Sequence, residues 1–356
     1  MKEFIISHQE EGQRFDKYLV KCLPKAQKSF LYKMLRKKNI VLNGKKADGN
    51  EKIKAGDSVK IFFSDETFEN QFSDEKTSVK IAAVPDKVKL DVLYEDDKFL
   101  IVNKPSGMLS QKAEKNDISL VEYVNDYLAA KEEHKENTFK AGICNRLDRN
   151  TSGIVVAGKS VVGLQEMSAA FHDRTIKKYY ICIVKGRVSK RVHIKGWLRK
   201  DADVNKVNVV KNIPHGAGMD DYTAIETEYF PVCISDELSL VKVHLITGKT
   251  HQIRAHLAYE KHPLAGDAKY GDKTFNRYFK EKYGIKNQML HAYELDIPNA
   301  ISGNMNIDNA ADKDNTYIND TGEMCIRTNV PDGFIKVLKG ENLWQHGTQE
   351  DLEALH

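Results

Sequence analysis

The stretch that most constrains this chain lies at residues 142–157, where a charged loop leads into an apolar segment. Asp148 lies there between Arg146 and Arg149, and a Thr-Ser-Gly sequence that is typical of a turn follows. Residues 154–157 are all apolar, which predicts a buried strand. The sequence therefore predicts a carboxylate on a loop directly ahead of the protein core.

Asp148 is the candidate reactive group of this loop. Neighbouring positive charges favour the ionised form of a carboxylate, and a fixed ionised carboxylate can act as a nucleophile or a general base. Such a residue is more often a helix cap or one half of a surface ion pair. The loop alone leaves these alternatives open.

Length and composition indicate a globular protein of about two or three domains. The chain has 356 residues, of which 41% are hydrophobic and 30% are charged. It contains no run of 18 apolar residues and no signal-peptide pattern at its start, so we expect no membrane association. The five cysteines are scattered without a C-x-x-C pair, which predicts reduced thiols in the cytoplasm and no structural zinc.

Positive charge is concentrated near the N-terminus. Residues 14–60 contain fourteen Lys or Arg and four Asp or Glu, a net charge of +10 against +4 for the whole chain. Patterning predicts helices at 14–19 and 29–38, a hairpin turn at Asn43-Gly44 and a strand at 59–63. This module is either a phosphate-binding surface or a solvated basic face.

The rest of the chain is rich in strand patterns. An acidic segment at 64–85 predicts a linker, and hairpin strands follow at 90–97 and 99–102. A helix is predicted at 118–133, and a strand, a turn and a helix capped by Thr250 are predicted across 241–257. We expect residues 301–323, which are rich in Asn, Asp and Gly, to be a flexible insertion, and 341–356 to be a polar tail.

Several segments resemble motifs of pseudouridine synthases of the large-subunit rRNA type. Residues 145–153 resemble H-R-L-D-x-x-T-S-G, with Asn145 in place of the histidine. Residues 178–186 resemble K-x-Y-x-A-x-V-x-G, and residues 247–257 resemble T-G-R-T-H-Q-I-R-x-H-L, with Lys249 in place of the first arginine. Residues 266–271 and 290–292 continue the resemblance, which covers about residues 10–292 in the family's order.

The resemblance implies an α+β catalytic domain built on a mixed, mostly antiparallel bent sheet. It identifies Asp148 as the essential aspartate, Arg254 as its ion-pair partner and Tyr180, rather than Tyr179, as the active-site tyrosine. The implied reaction isomerises uridine in RNA by breaking its N1–C1′ bond and rejoining the uracil through C5. Since the reaction involves no redox change or hydrolysis, we expect no metal and no organic cofactor.

The N-terminal module resembles the S4 RNA-binding domain, a small α+β domain. The implied division is an S4-like domain at 10–63, a linker at 64–85, a catalytic domain at 86–340 and a tail at 341–356. The residues predicted to contact RNA are Arg36, Lys37, Lys38, Lys45, Lys104, Arg146, Arg149 and Lys249.

The predicted partner is RNA, and 23S rRNA is favoured over tRNA as the target. We expect a monomer. A non-catalytic RNA-binding protein that assists ribosome assembly is the alternative of a different class. A carboxylate-based hydrolase is disfavoured because most glycosidases need a second catalytic carboxylate, and no motif here supplies one.

Overall fold

The computed structural model describes residues 1–64, 66, 89–131, 139–201, 206–303, 305–311 and 315–343. The chain divides into two units: the first is Met1–Ile101, Gln111–Asn145 and Val156–Ala169, and the second is Val102–Ser110, Arg146–Val155 and Ala170–His356. Most of the predicted linker and tail lies outside the described residues. The predicted domain boundaries therefore stay predictions.

The first unit begins with two helices and a four-stranded sheet. The elements are β1 (Lys2–Ile5), α1 (Phe15–Cys22), α2 (Lys28–Arg36), β2 (Ile40–Leu42), β3 (Lys45–Lys46) and β4 (Ser58–Ile61). The antiparallel strands lie in the order β1-β4-β2-β3. Asn43 and Gly44 join β2 to β3 with φ values of 52° and 71°, as a tight hairpin turn requires. The predicted order of helices and strands is confirmed.

Apolar side chains of both helices form a core with this sheet. Phe15 and Leu19 of α1 and Leu31 and Leu35 of α2 are buried together with Val59 of β4. These helical residues recur at a spacing of four, which places each pair on one face. The basic residues between them therefore remain on the outer faces.

The remaining elements of the first unit are strands and one capped helix. They are β5 (Val92–Glu95), β6 (Phe99–Lys104), α3 (Leu120–Ala130) and β7 (Gly142–Ile143). Ser119 and Glu122 form a capping box at the start of α3, which explains where this predicted helix begins. Strand β8 (Ser152–Gly158) and helix α4 (Val161–His172) have residues in both units, as does β6.

The second unit is organised on a large sheet. Its strands are β9 (Lys177–Lys185), β10 (Val192–Asp201), β11 (Lys206–Val210), β12 (Tyr222–Ile234), β13 (Leu238–Leu245), β14 (Leu290–Ile297), β15 (Thr316–Ile318) and β16 (Met324–Arg327). The order is β11-β10-β12-β13-β9-β14-β8, with β16 also on β14 and β15 on β16. Of the pairings in this order, only β14 with β8 is parallel. The predicted α+β class with a mixed, mostly antiparallel sheet is confirmed.

The described residues of the second unit contain, beyond the end of α4, the helices α5 (Gln252–Tyr259), α6 (Lys273–Tyr283), α7 (Asn299–Ser302) and α8 (Asp332–Gly340). Phe279 of α6 and Phe334 of α8 lie in one apolar cluster with Ile181 and Ile183 of β9. Because side chains alternate along a strand, Tyr180 faces the opposite side of the sheet. The candidate site lies on that opposite side.

Two sequence predictions are corrected by the fold. The predicted flexible insertion at 301–323 contains, in its described residues, the end of α7, a 3-10 helix at Ile307–Asn309 and strand β15, which pairs with β16. The residue that caps α5 is His251, not Thr250. Within the described residues, none of the helices has the length and apolar character needed to cross a membrane.

Candidate active site

The loop that carries Asp148 is held by hydrogen bonds on both sides of that residue. Ser110 Oγ accepts from Leu147 N at 3.0 Å and donates to Leu147 O at 2.8 Å. Gly107 N donates to Arg149 O at 2.9 Å. These contacts fix the backbone immediately before and after Asp148. The segment that contains Gly107 and Ser110 therefore determines where the Asp148 carboxylate lies.

Lys104 braces the same loop from inside. It is fully buried, and its Nζ donates to Pro105 O at 3.0 Å, Met108 O at 2.8 Å and Arg149 O at 3.1 Å. Burial lowers the pKa of Lys104 to about 8, against the opposing effect of the Asp148 charge. The predicted phosphate contact of Lys104 is therefore wrong, because its ammonium is enclosed by carbonyl groups of its own chain.

The turn after Asp148 requires a glycine for a steric reason. Gly153 has a φ of 115°, and a Cβ added to it would lie 2.2 Å from Ala292 O. This close approach occurs where β8 runs parallel to β14, and Ser152 Oγ hydrogen-bonds His291 Nδ1 nearby at 2.8 Å. The Thr-Ser-Gly sequence thus lets the loop enter the sheet against β14.

Arg254 connects Asp148 to a second carboxylate. Its Nη1 donates to Asp148 Oδ2 at 2.7 Å, as the sequence predicts. Its Nε and Nη2 donate to Asp267 Oδ2 at 2.7 Å and Asp267 Oδ1 at 2.9 Å. A bidentate pair of this kind fixes the guanidinium plane as well as its position. Arg254 is 7% exposed and Asp267 is fully buried, so solvent screens these contacts little.

The ion pair keeps both buried groups charged. Burial alone would lower the pKa of Arg254, but the hydrogen bonds and charge of Asp267 outweigh it and raise that pKa. Burial alone would raise the pKa of Asp267, but the hydrogen bonds from Arg254 hold it below its ordinary value of 3.8. Each charge is therefore maintained by the other.

The two oxygens of Asp148 differ in their surroundings. Arg254 Nη1 contacts Oδ2, and His251 Nε2 lies 3.8 Å from the same oxygen. Among the described residues, Oδ1 has no hydrogen-bond or ion-pair partner. The side chain of Asp148 is 25% exposed. Oδ1 is therefore free of the contacts that hold Oδ2.

His251 and Tyr270 enclose the other side of Arg254. His251 has a φ of 56°, a left-handed conformation that is uncommon for a residue with a Cβ. Its Nδ1 lies 3.0 Å from Tyr270 Oη, which accepts a hydrogen bond from Val207 N at 2.9 Å. The Tyr270 ring centroid lies 5.2 Å from the Arg254 guanidinium carbon. These contacts further restrict the movement of Arg254.

Tyr180 lies in β9 on the Asp148 side of the sheet. Its side chain is buried, and burial together with the charge of Asp148 raises the pKa of its hydroxyl. Tyr179 faces the other side, where its ring stacks on His244 with a centroid distance of 4.9 Å. The structure thus brings Tyr180, Asp148 and Arg254 to one site, as the sequence predicts.

The sequence matches a known protein family over this site. The RNA pseudouridylate synthase family profile matches residues 98–259, which include Asp148, Tyr180 and Arg254. The ribosomal large subunit pseudouridine synthase C of Haemophilus influenzae is 31% identical over 296 residues, 83% of this chain and 86% of that protein. The protein of the same name from Vibrio vulnificus is 31% identical over 80% of this chain and 84% of its own length.

The chain belongs to the RNA pseudouridine synthase family.

Solved structures show the same fold. Human RNA pseudouridylate synthase domain containing 4 superposes with a TM-score of 0.52 at 20% identity, covering 70% of this chain and 92% of that one. Human RNA pseudouridylate synthase domain containing 1 gives a TM-score of 0.50 at 21% identity, covering 70% and 86%. The protein is thus a pseudouridine synthase by family and by fold.

The remaining predicted RNA-contact residues of this pseudouridine synthase are exposed. Arg146 and Arg149 form no ion pair with Asp148 among the described residues, so Arg254 supplies the charge expected from them. Lys249 is exposed on the turn before α5. In the first unit, the exposed cations lie at the end of α2 and beside the hairpin turn: Arg36, Lys37, Lys38 and Lys45.

Sequence reasoning assigned no role to Asp267 or Tyr270, although both lie in the 266–271 motif. One signal was present: Asp267 follows the apolar pair Leu264-Ala265, and a carboxylate in a buried segment needs a cationic partner. The position of that partner is not readable from the sequence spacing. In the part of the chain that the structure describes, no three His, Cys, Asp or Glu residues are grouped to hold a metal ion.

Proposed function

We propose that this pseudouridine synthase isomerises uridines of large-subunit ribosomal RNA and that Asp148 is the reacting residue. The target is supported by the names of the relatives from Haemophilus influenzae and Vibrio vulnificus. The chemistry is supported above all by one observation. Arg254 holds Asp148 Oδ2 and leaves Oδ1 without a partner among the described residues, and the charge of Asp148 acts on the buried hydroxyl of Tyr180.

The target uridine must leave its stack before it can react. Bases within folded RNA are not accessible to a side chain in a cleft, so the nucleotide is extruded into the site. Asp148 Oδ1 then acts on the ribose, either as a nucleophile or as a base. The N1–C1′ bond breaks, the uracil rotates and C5 bonds to C1′. C5 then loses its proton and N1 takes one up, so the product is an isomer of the substrate and Asp148 is regenerated.

Arg254 and Tyr180 support this reaction in different ways. Arg254 fixes the orientation of Asp148 through the hydrogen bond to Oδ2 and places a positive charge beside it. The ordinary pKa of a tyrosine already keeps its hydroxyl protonated near neutral pH, and burial raises the pKa of Tyr180 further. This favours stacking on the uracil and donation of a hydrogen bond over uptake of the C5 proton.

The N-terminal residues bind the RNA outside the active site in this proposal. Two helices and the strands β2, β3 and β4, with exposed cations, fit an S4-like RNA-binding domain at residues 10–63, and β1 adds a strand from outside that range. Contacts of this kind are made mainly to phosphates and to RNA shape, so they carry little sequence information. Arg146 and Arg149 are exposed on either side of Asp148, and in this proposal they contact the RNA around the extruded nucleotide.

The proposal is tested by tritium release from C5-labelled uridine, with 23S rRNA and tRNA as parallel substrates. Release from 23S rRNA alone is expected. Release from tRNA alone would retain the chemistry and overturn the target. If neither RNA releases tritium while both still bind, the protein is an RNA-binding assembly factor instead.

A further inference from the structure

Lys178 is a buried lysine without a partner for its charge. It is 8% exposed, and among the described residues its ammonium makes no hydrogen bond or ion pair. The adjacent Lys177, on the opposite face of β9, pairs with Glu323 at 2.8 Å. A buried unpaired ammonium is unfavourable, because it gives up hydration without gaining a counter-charge. A partner from outside the chain would remove this cost.

The position of Lys178 relates it to the candidate active site. It lies two residues before Tyr180 on the same face of β9, so their backbone positions are about 7 Å apart. A Cβ added to Gly248 would lie 3.8 Å from Lys178 Nζ. Gly248 belongs to the turn that leads into α5, the helix that carries Arg254. The ammonium thus lies close to this turn, on the face of β9 that carries Tyr180.

A ligand can still reach the ammonium. The fully enclosed polar side-chain atoms that lack a partner in the described residues are His291 Nε2, Asp296 Oδ1 and Ser302 Oγ. Lys178 Nζ is not one of them, so it keeps some access to solvent.

The surroundings of Lys178 are positive. Burial lowers the pKa of Lys178, and the charge of Arg174 lowers it further. Arg174 and Lys249, which follows Gly248, are both exposed. No carboxylate of the described residues pairs with Arg174, Lys178 or Lys249. Three cations without an acidic partner favour an anion at this place.

We propose that Lys178, flanked by Arg174 and Lys249, binds a backbone phosphate of the RNA next to the nucleotide that Tyr180 receives. This inference rests on RNA being the substrate, as proposed above. The spacing of Lys178 and Tyr180 is within the reach of one nucleotide. A phosphate at Lys178 would hold the strand while the base enters the site.

The first test compares Lys178→Met with Lys177→Met. Equilibrium binding of a 23S rRNA fragment is measured across a range of salt concentrations. Loss of one phosphate contact is expected to reduce the slope of log K against log salt by about 0.7–0.9 in Lys178→Met. The slope of Lys177→Met should match that of wild type, since Lys177 faces the other side of the sheet. Lys178→Arg should retain the wild-type slope.

Thermal unfolding tests whether weaker RNA binding by Lys178→Met results only from a less stable protein. Because Lys178→Met removes an unpaired buried charge, its Tm should equal or exceed that of wild type while RNA binding weakens. A purely structural lysine would show the reverse, with lower Tm and an unchanged slope, and that result would overturn the inference. Lys178→Gln, tested in the same way, covers the case in which methionine disturbs folding.

A second test locates the phosphate. RNA fragments carry one neutral methylphosphonate at each position flanking the target uridine in turn. At one of these positions, neutralising the phosphate should weaken RNA binding by wild type. The same change should not weaken binding by Lys178→Met, because that variant already lacks the contact. Equal losses in both proteins at every position would overturn the inference.

Turnover by wild type on the unmodified fragment separates the two proposals. If wild type turns over the fragment but wild type and Lys178→Met have identical salt slopes, the phosphate site is rejected and the proposed function is retained. A slope difference without turnover supports the site and rejects the function.

Discussion

Replacing Asp267 with asparagine tests whether the Asp267 carboxylate, acting through Arg254, holds the Asp148 carboxylate in position. Asp267 accepts two hydrogen bonds from Arg254 and two from the backbone N–H groups of Lys269 and Tyr270. Asparagine has the same shape but only one acceptor oxygen, so its NH₂ group must face an N–H of the guanidinium. One arm of the bidentate pair is lost, and Arg254 is left with Asp148 as its anionic partner.

The expected magnitude follows from this geometry. Removing one partner of a buried ion pair costs about 3–5 kcal/mol, and Asp267 is fully buried. Because asparagine keeps one acceptor, we expect a loss of about 3 kcal/mol in the free energy of unfolding. Arg254 can then rotate with Asp148, and a misplacement of about 1 Å at the reacting group reduces kcat about 100-fold.

Asp272→Asn is a matched control in the same segment. Asp272 caps α6 by accepting from Phe275 N at 2.8 Å, and asparagine caps a helix equally well. Its ion pair with Lys185 is partly exposed and contributes little. Urea unfolding and single-turnover C5 tritium release are measured for both variants. If Asp267→Asn is folded at the assay temperature and turns over at the wild-type rate, the proposed role of Asp267 is refuted.

Three further predictions concern the loop and its surroundings. Lys104→Met leaves the carbonyls of Pro105 and Met108 without the Lys104 donor, while Arg149 O keeps its bond from Gly107 N, so urea unfolding should show a loss of about 2 kcal/mol. The wild-type pH–rate profile should also fall above about pH 8, the pKa of Lys104, and the variant should lack that step. Gly153→Ala should lower the free energy of unfolding by about 3 kcal/mol or more, because the new Cβ meets Ala292 O. Gly107→Ala, at a φ of 93° but with open space around it, should lower it by only about 1 kcal/mol. Equal losses in thermal unfolding would contradict the steric explanation. Because the folded-state pKa of Asp267 lies below 3.8, the stability that it provides is present above that pH and is lost as the pH falls through the folded-state value. The difference in free energy of unfolding between wild type and Asp267→Asn, measured by urea titration, should therefore shrink in acid. A constant difference would argue against an ionised Asp267.

Local patterns were sufficient to predict most elements of the fold. Asn43-Gly44 supplies the positive φ values of its hairpin turn, and Ser119 with Glu122 marks the start of α3. The apolar run at 154–157 is a fully buried part of β8. These features depend on neighbours in the sequence, which is why they are readable from it.

The candidate site depended on longer-range information. Asp148 and Arg254 are 106 residues apart, and their pairing was predicted only through the family resemblance. Lys104 follows an apolar strand and precedes Pro105, a pattern typical of an exposed loop. It is buried because the loop folds three carbonyls around its ammonium, and no local pattern encodes that closure. The bidentate contact from Asp267 was missed for the same reason.

The most direct test of the account is C5 tritium release from 23S rRNA by Asp148→Asn under single-turnover conditions. Asparagine keeps the size of the side chain and an oxygen for Arg254 Nη1, but it is neither an ionised nucleophile nor a base. The account predicts that release falls to the background of enzyme-free RNA while RNA affinity stays within about twofold, or about 0.4 kcal/mol, of wild type. Release at the wild-type rate would contradict it, because Asp148 would then not be the residue that reacts with the uridine.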